Sequence, residues 1–68
     1  NPYDLTGRFY LGTCWLELGK YQEAAEQFRA AREIDPTYRQ AYEAEVRALE
    51  AAGDSVGAAR VRSLLPAQ

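Results

Sequence analysis

The stretch LGTCWLELGKYQEAAEQFRAAREIDP, residues 11–36, decides the fold. It holds two segments rich in Ala, Glu, Leu, Arg and Gln, separated at Gly19 and closed by Asp35-Pro36. Apolar or small residues recur at helical spacing: Leu11, Gly12, Trp15 and Leu18 before the glycine, then Tyr21, Ala24, Phe28, Ala31 and Ile34 after it. Gly19 stands where a helix must stop in a left-handed conformation, and a proline at 36 restricts the residue before it, which ends the second segment. Two helices joined by a tight turn follow.

Outward from that stretch the pattern continues. Leu5 extends the first apolar face, and Tyr42, Val46, Leu49 and Ala52 make a third, which Gly53 ends. Thr37 and Gln40 have capping-box spacing at its start. No alternating run of Val, Ile or Thr signals a strand, and the dense alanines favour helix. Four helices are expected over residues 4–18, 20–34, 38–52 and 54–65, in an all-α chain of two antiparallel pairs. Leu11, Trp15, Ala24, Phe28, Val46 and Leu49 are the expected core.

The punctuation repeats. Pro2 and Pro36, Gly19 and Gly53, Ala24 and Ala58, Ala25 and Ala59 are each 34 residues apart. With Leu11-Gly12, Trp15, Gly19, Tyr21, Ala24, Phe28, Ala31 and Asp35-Pro36 in register, the chain resembles the tetratricopeptide repeat family. Leu, Ala and aromatics at helical spacing would suit any helical bundle, but most bundles lack that fixed period. The resemblance implies helix-turn-helix units, here a fragment of a right-handed α-solenoid. Residues 1–4 read as the end of a preceding repeat, 5–38 as one complete repeat, and 39–68 as a second, degenerate one that caps the array at its C-terminal end. Four positions depart from the pattern: Arg8 replaces a large aromatic, Glu45-Val46 replaces the Leu-Gly pair, and Arg62 replaces the aromatic of the last helix. Val61, Leu64 and Leu65 suggest that the last apolar stripe has slid around its helix.

Composition narrows the function. Ten acidic residues outnumber eight basic ones, for a net charge of -2, and the basic ones never cluster, which argues against nucleic acid and membrane surfaces as partners. No apolar run approaches the roughly 18 residues of a membrane span. Histidine is absent and Cys14 is the lone cysteine, which removes His-dependent catalysis and any thiol pair for a metal, so no enzyme activity, cofactor or metal is expected. Cys14 has no basic neighbour in sequence and reads as a packed thiol. Seven arginines against one lysine, with abundant alanine, point to a GC-rich bacterial source, while the compartment stays open. No methionine begins the chain, so a preceding segment is expected. At 68 residues, two units alone are marginal, and Gly57 inside the last helix costs about another 1 kcal/mol relative to Ala. Support is expected from neighbouring repeats, a partner or self-association.

The family resemblance implies a protein-interaction scaffold, in which the first helix of each unit lines a concave groove for an extended peptide or a partner helix. Carried over residue by residue, the groove falls on Thr6, Phe9, Tyr10, Thr13, Leu16 and Glu17 of the first helix and on Gln40, Glu43, Arg47 and Glu50 of the third. Some members clamp a partner's C-terminal carboxylate with Lys and Asn one turn apart, which Phe9 and Thr13 do not match. Glu43, Arg47 and Glu50, at i, i+4 and i+7, read equally well as a solvated ion-pair row. An assembly role, capping the array or pairing copies of the segment, is the alternative to peptide binding.

Overall fold

A computed structural model describes residues 4–66, and the expected preceding-repeat remnant at Asn1-Pro2 lies outside them, as do Ala67 and Gln68. Four helices occupy this span: α1 (Leu5–Glu17), α2 (Tyr21–Ile34), α3 (Arg39–Ala51) and α4 (Ser55–Arg62). Each packs on the next in an antiparallel zigzag that measures 30 × 30 × 15 Å. Gly19 and Gly53 carry the left-handed turns, with φ of 77° and 83°. Asp4 and Asp54 cap α1 and α4 by accepting from the amides of Gly7 at 2.9 Å and Gly57 at 2.8 Å.

The α2–α3 link differs from expectation. Thr37 caps nothing: its amide and hydroxyl both donate to Asp35 Oδ1, at 3.1 and 2.6 Å, and Tyr38 is the N-cap residue of α3 with no side-chain bond. A short Asx turn at Asp35 shapes the link instead, and α3 starts without a side-chain cap. The last helix also ends early, at Arg62 rather than 65, because Ser63 closes back on the Arg60 carbonyl and Pro66 restricts Leu65.

The core is built around one aromatic. Phe28 is 1% exposed and lies against Gly12, where an added Cβ would stand 2.7 Å from its ring. Ala24, Ala25, Tyr42, Val46, Ala48, Leu49, Ala58 and Val61 complete the buried cluster, with Phe9, Trp15, Leu16 and Leu65 packed on its edge. Two members of the expected core are placed differently. Trp15 is half-buried, and Leu11 is 42% exposed. Leu11 shares a stripe with Gly7, Cys14 and Leu18 on which no helix packs among the described residues, whereas the stripe 34 residues later, Ala41, Glu45 and Ala48, is buried beside α2.

The departures at 45, 46 and 62 resolve together. Glu45, 4% exposed, accepts from Arg32 Nε of α2 at 2.5 Å, and the Arg32 guanidinium lies 5.5 Å from the Tyr42 ring centroid. Val46 stands where α1 has Gly12, so the side chain from α4 must give way. Arg62, in the place corresponding to Phe28, turns outward to Glu50 at 2.6 Å. Val61 and Leu65 turn inward instead, as a shifted stripe requires, while Leu64 is left 51% exposed.

Candidate functional site

The sequence-derived surface residues split into two groups. On α1, Thr6, Tyr10 and Glu17 are exposed, and Tyr10, at 71%, is the most open large hydrophobic side chain among the described residues. Thr13 is half-buried, with its hydroxyl tied to the Phe9 carbonyl at 3.0 Å. Phe9 and Leu16 point toward the core. The Phe9 ring centroid is 5.2 Å from that of Phe28 and 5.6 Å from that of Tyr38, in tilted geometry, so Phe9 joins α1 to α2 and to the start of α3.

On α3, Gln40, Glu43, Arg47 and Glu50 are all exposed. Glu43 accepts from Arg39 Nε at 3.0 Å and Glu50 from Arg62 at 2.6 Å, so the row is only partly internal: its carboxylates are satisfied from the preceding turn and from α4. Among the described residues Arg47 forms no ion pair, which leaves it the free cation of the row. A cavity of about 200 Å³ joins Glu43, Arg47 and Glu50 to Val46, Arg62 and Leu65. Its floor is aliphatic and its rim is charged. Exposed ion pairs of this kind contribute little stability, about 0–1 kcal/mol, so the rim is free to exchange partners.

Arg62 and Leu65 went unassigned from sequence. The signal was present in Arg62, which stands where an aromatic is expected, but it reads as a packing defect until the α3–α4 geometry shows the cleft that the exchange opens. No α1 residue lines this cleft, so the α1 and α3 sets are two neighbouring surfaces rather than one pocket. Positions 34 apart show how they differ: Phe9, Leu16 and Phe28 pack inward, whereas Glu43, Glu50 and Arg62 face water. Three apolar positions have become charged on the last helix pair.

Among the described residues no group of His, Cys, Asp and Glu has metal-binding geometry, and no helix is long and apolar enough to cross a membrane. One carboxyl is shifted: the Thr37 hydroxyl, and then its amide, hold that of Asp35 below the usual value of 3.8 by hydrogen bonding its charged form. Asp35 belongs to the α2–α3 turn and not to the cleft.

No curated protein and no solved structure matches the chain. A family model described as Tetratricopeptide repeat matches residues 6–38, the span that covers α1, α2 and the turn after them. Repeats of this kind typically serve as protein-interaction scaffolds. The Gly12–Phe28 contact, the left-handed Gly19 turn and the stop at Asp35-Pro36 all fall within the matched span, and residues 6–38 are a tetratricopeptide repeat.

Proposed function

We propose that the chain binds a protein partner, as an extended peptide or a helix, along the exposed side of α1 and α3. The observation that carries this reading is the α3–α4 cleft, with an aliphatic floor at Val46 and Leu65 and an unpaired cation, Arg47, on its rim. An aliphatic or aromatic side chain would fill the floor, and a neighbouring carboxylate would meet Arg47. Tyr10, one helix over, offers a rigid amphipathic contact of the type that dominates interfaces. The groove set Thr6, Phe9, Tyr10, Thr13, Leu16, Glu17, Gln40, Glu43, Arg47 and Glu50 thus divides into direct contacts and two supports, Phe9 and Leu16, which hold α1 in place.

We further read residues 39–68 as a divergent second repeat that closes the array. The exchange of Phe9, Leu16 and Phe28 for Glu43, Glu50 and Arg62 supports this, because a polar outer face is what a terminal unit of a stacked array needs.

Selection of binders from a random peptide library, followed by chemical-shift mapping of the best one, tests the docking surface. Shifts centred on Tyr10, Arg47, Arg62 and Leu65 are expected. Shifts centred on Glu26, Arg29 and Glu33 of α2 would move the site to the outer face and overturn the reading.

A further inference from the structure

The cleft between α3 and α4 stands where the first helix pair keeps part of its core. Its lining residues Glu43, Val46, Arg47, Glu50, Arg62 and Leu65 correspond, 34 positions earlier, to Phe9, Gly12, Thr13, Leu16, Phe28 and Ala31. In the first pair the Phe28 ring is 1% exposed and lies on Gly12, with the Phe9 ring centroid 5.2 Å away and Leu16 packed at the edge. In the second pair the three large apolar groups are replaced by charged ones that find partners at the surface: Arg62 and Glu50 meet at 2.6 Å, and Arg39 meets Glu43 at 3.0 Å. Val61 and Leu65 enter with the shifted stripe, and Val46 takes up part of the room that Gly12 leaves for a ring. About 200 Å³ remains open over Val46 and Leu65. A cavity of roughly 150 Å³ holds one benzene ring, so the space has the size of the ring that the second pair lacks.

The charge of the rim decides what kind of group completes it. Glu43 and Glu50 each already hold a guanidinium, whereas among the described residues Arg47 forms no ion pair, so the uncompensated charge is positive. A cationic group is repelled there and an anionic one is drawn in. Guanidinium groups also attract the electron-rich face of an aromatic ring within about 6 Å, which an aliphatic group does not offer. The chain makes that contact itself, with Arg32 at 5.5 Å from the Tyr42 ring centroid. We propose that the cleft is a packing socket emptied by the arginine that stands at 62 where the first pair has Phe28, and that a phenylalanine side chain of the partner, with a carboxylate beside it, fills the socket in trans. Arg62 keeps it open, because Glu50 holds its charge at the surface. The socket rests on the docking reading of this cleft and adds to it the identity of the anchor.

N-acetyl-L-phenylalaninate, a phenyl ring with one carboxylate, is the probe. Titrated into the parent and followed by amide and methyl chemical shifts, it should move Val46, Arg47, Arg62 and Leu65 and saturate with a Kd on the order of 1 mM, as its size implies. N-acetyl-L-leucinate should bind about threefold more weakly, without the cation–ring contact, and N-acetylglycinate about tenfold more weakly, without any side chain to bury. Arg62→Phe supplies a ring from the chain's own side, so it should lose the probe and melt above the parent, while Glu26→Lys on α2 should bind as the parent does. Leucinate or glycinate binding as tightly as phenylalaninate would overturn the socket and leave the docking reading standing, as would an Arg62→Phe protein that binds the probe unchanged. So would a probe that moves none of the four cleft residues while a library-selected peptide still does. If neither the probe nor the peptide moves them, socket and docking reading fall together. Should Arg62→Phe fail to fold, the parent's shift map and the comparison of the three acetylated amino acids decide, since neither needs a variant.

Discussion

Gly12 and Phe28 fit only because Gly12 has no side chain: a Cβ there would stand 2.7 Å from Phe28 Cε1 and 2.9 Å from Cδ1. The ring is 1% exposed, with Phe9 packed on it, and has nowhere to retreat. Gly12→Ala should therefore lose about 1–3 kcal/mol from overpacking, although alanine is the better helix former. In a Phe28→Leu background the same change should cost much less. Denaturant unfolding of the four proteins measures this coupling, and strictly additive losses would show that the two residues do not interact.

Glu45 and Arg32 predict a different asymmetry. Their side chains are 5% and 18% exposed, and each is the other's ion partner. Glu45→Ala strands a largely buried guanidinium and should cost about 3–5 kcal/mol. The double change Arg32→Leu with Glu45→Leu should return most of that stability, since an apolar pair of similar size is often as good as a buried ion pair. Thermal and urea unfolding of both proteins would decide, and a double variant as unstable as the single one would mean that the pair is needed for more than satisfying its own charges.

The reach of sequence reading can be judged from these same residues. The helices, the glycine turns and the Phe28 core were legible because helical periodicity and left-handed turns are local properties. Leu11 was misjudged because its burial depends on whether a helix covers α1, which no spacing within α1 reveals. Trp15 was overestimated for the same reason, standing at the edge of the core rather than inside it. Thr37 has the spacing of a cap, yet Asp35, two residues earlier, captures its hydroxyl. Of the candidate surface, the α3 row was readable as a helical stripe. The parts supplied by α4, Arg62 and Leu65, needed the α3–α4 packing.

Asp35 supplies a pH dependence. Its carboxyl is held below the ordinary value of 3.8 by Thr37, so the native state favours the ionised form more than the unfolded chain does. The stability this adds is complete above about pH 5 and is lost as pH falls through 3.8 and below the folded value. The difference in melting temperature between parent and Asp35→Ala should be constant from pH 5 to 7 and should shrink on acidification to about pH 2. A difference that stays constant over the whole range would remove Thr37 as the cause.

Phe9 and Tyr10 are adjacent in sequence and should behave oppositely. Phe9→Ala removes a ring that touches Phe28 and Tyr38 and should lower stability by about 2–4 kcal/mol. Tyr10→Ala alters a side chain that is 71% exposed and should change stability by less than about 0.5 kcal/mol. Circular dichroism melts of the two variants distinguish a supporting residue from a contact residue, and equal losses would mean that Tyr10 is packed.

The most direct test of the docking surface is the affinity of a library-selected peptide for four proteins: the parent, Tyr10→Ala, Arg47→Glu and Glu26→Lys, measured by calorimetric titration. Tyr10→Ala should weaken binding by at least about 1 kcal/mol, Arg47→Glu should weaken an acidic peptide and favour a basic one, and Glu26→Lys on the outer face of α2 should change little. Binding that survives Tyr10→Ala and Arg47→Glu together, and that Glu26→Lys abolishes, would place the partner on the convex face and contradict the account.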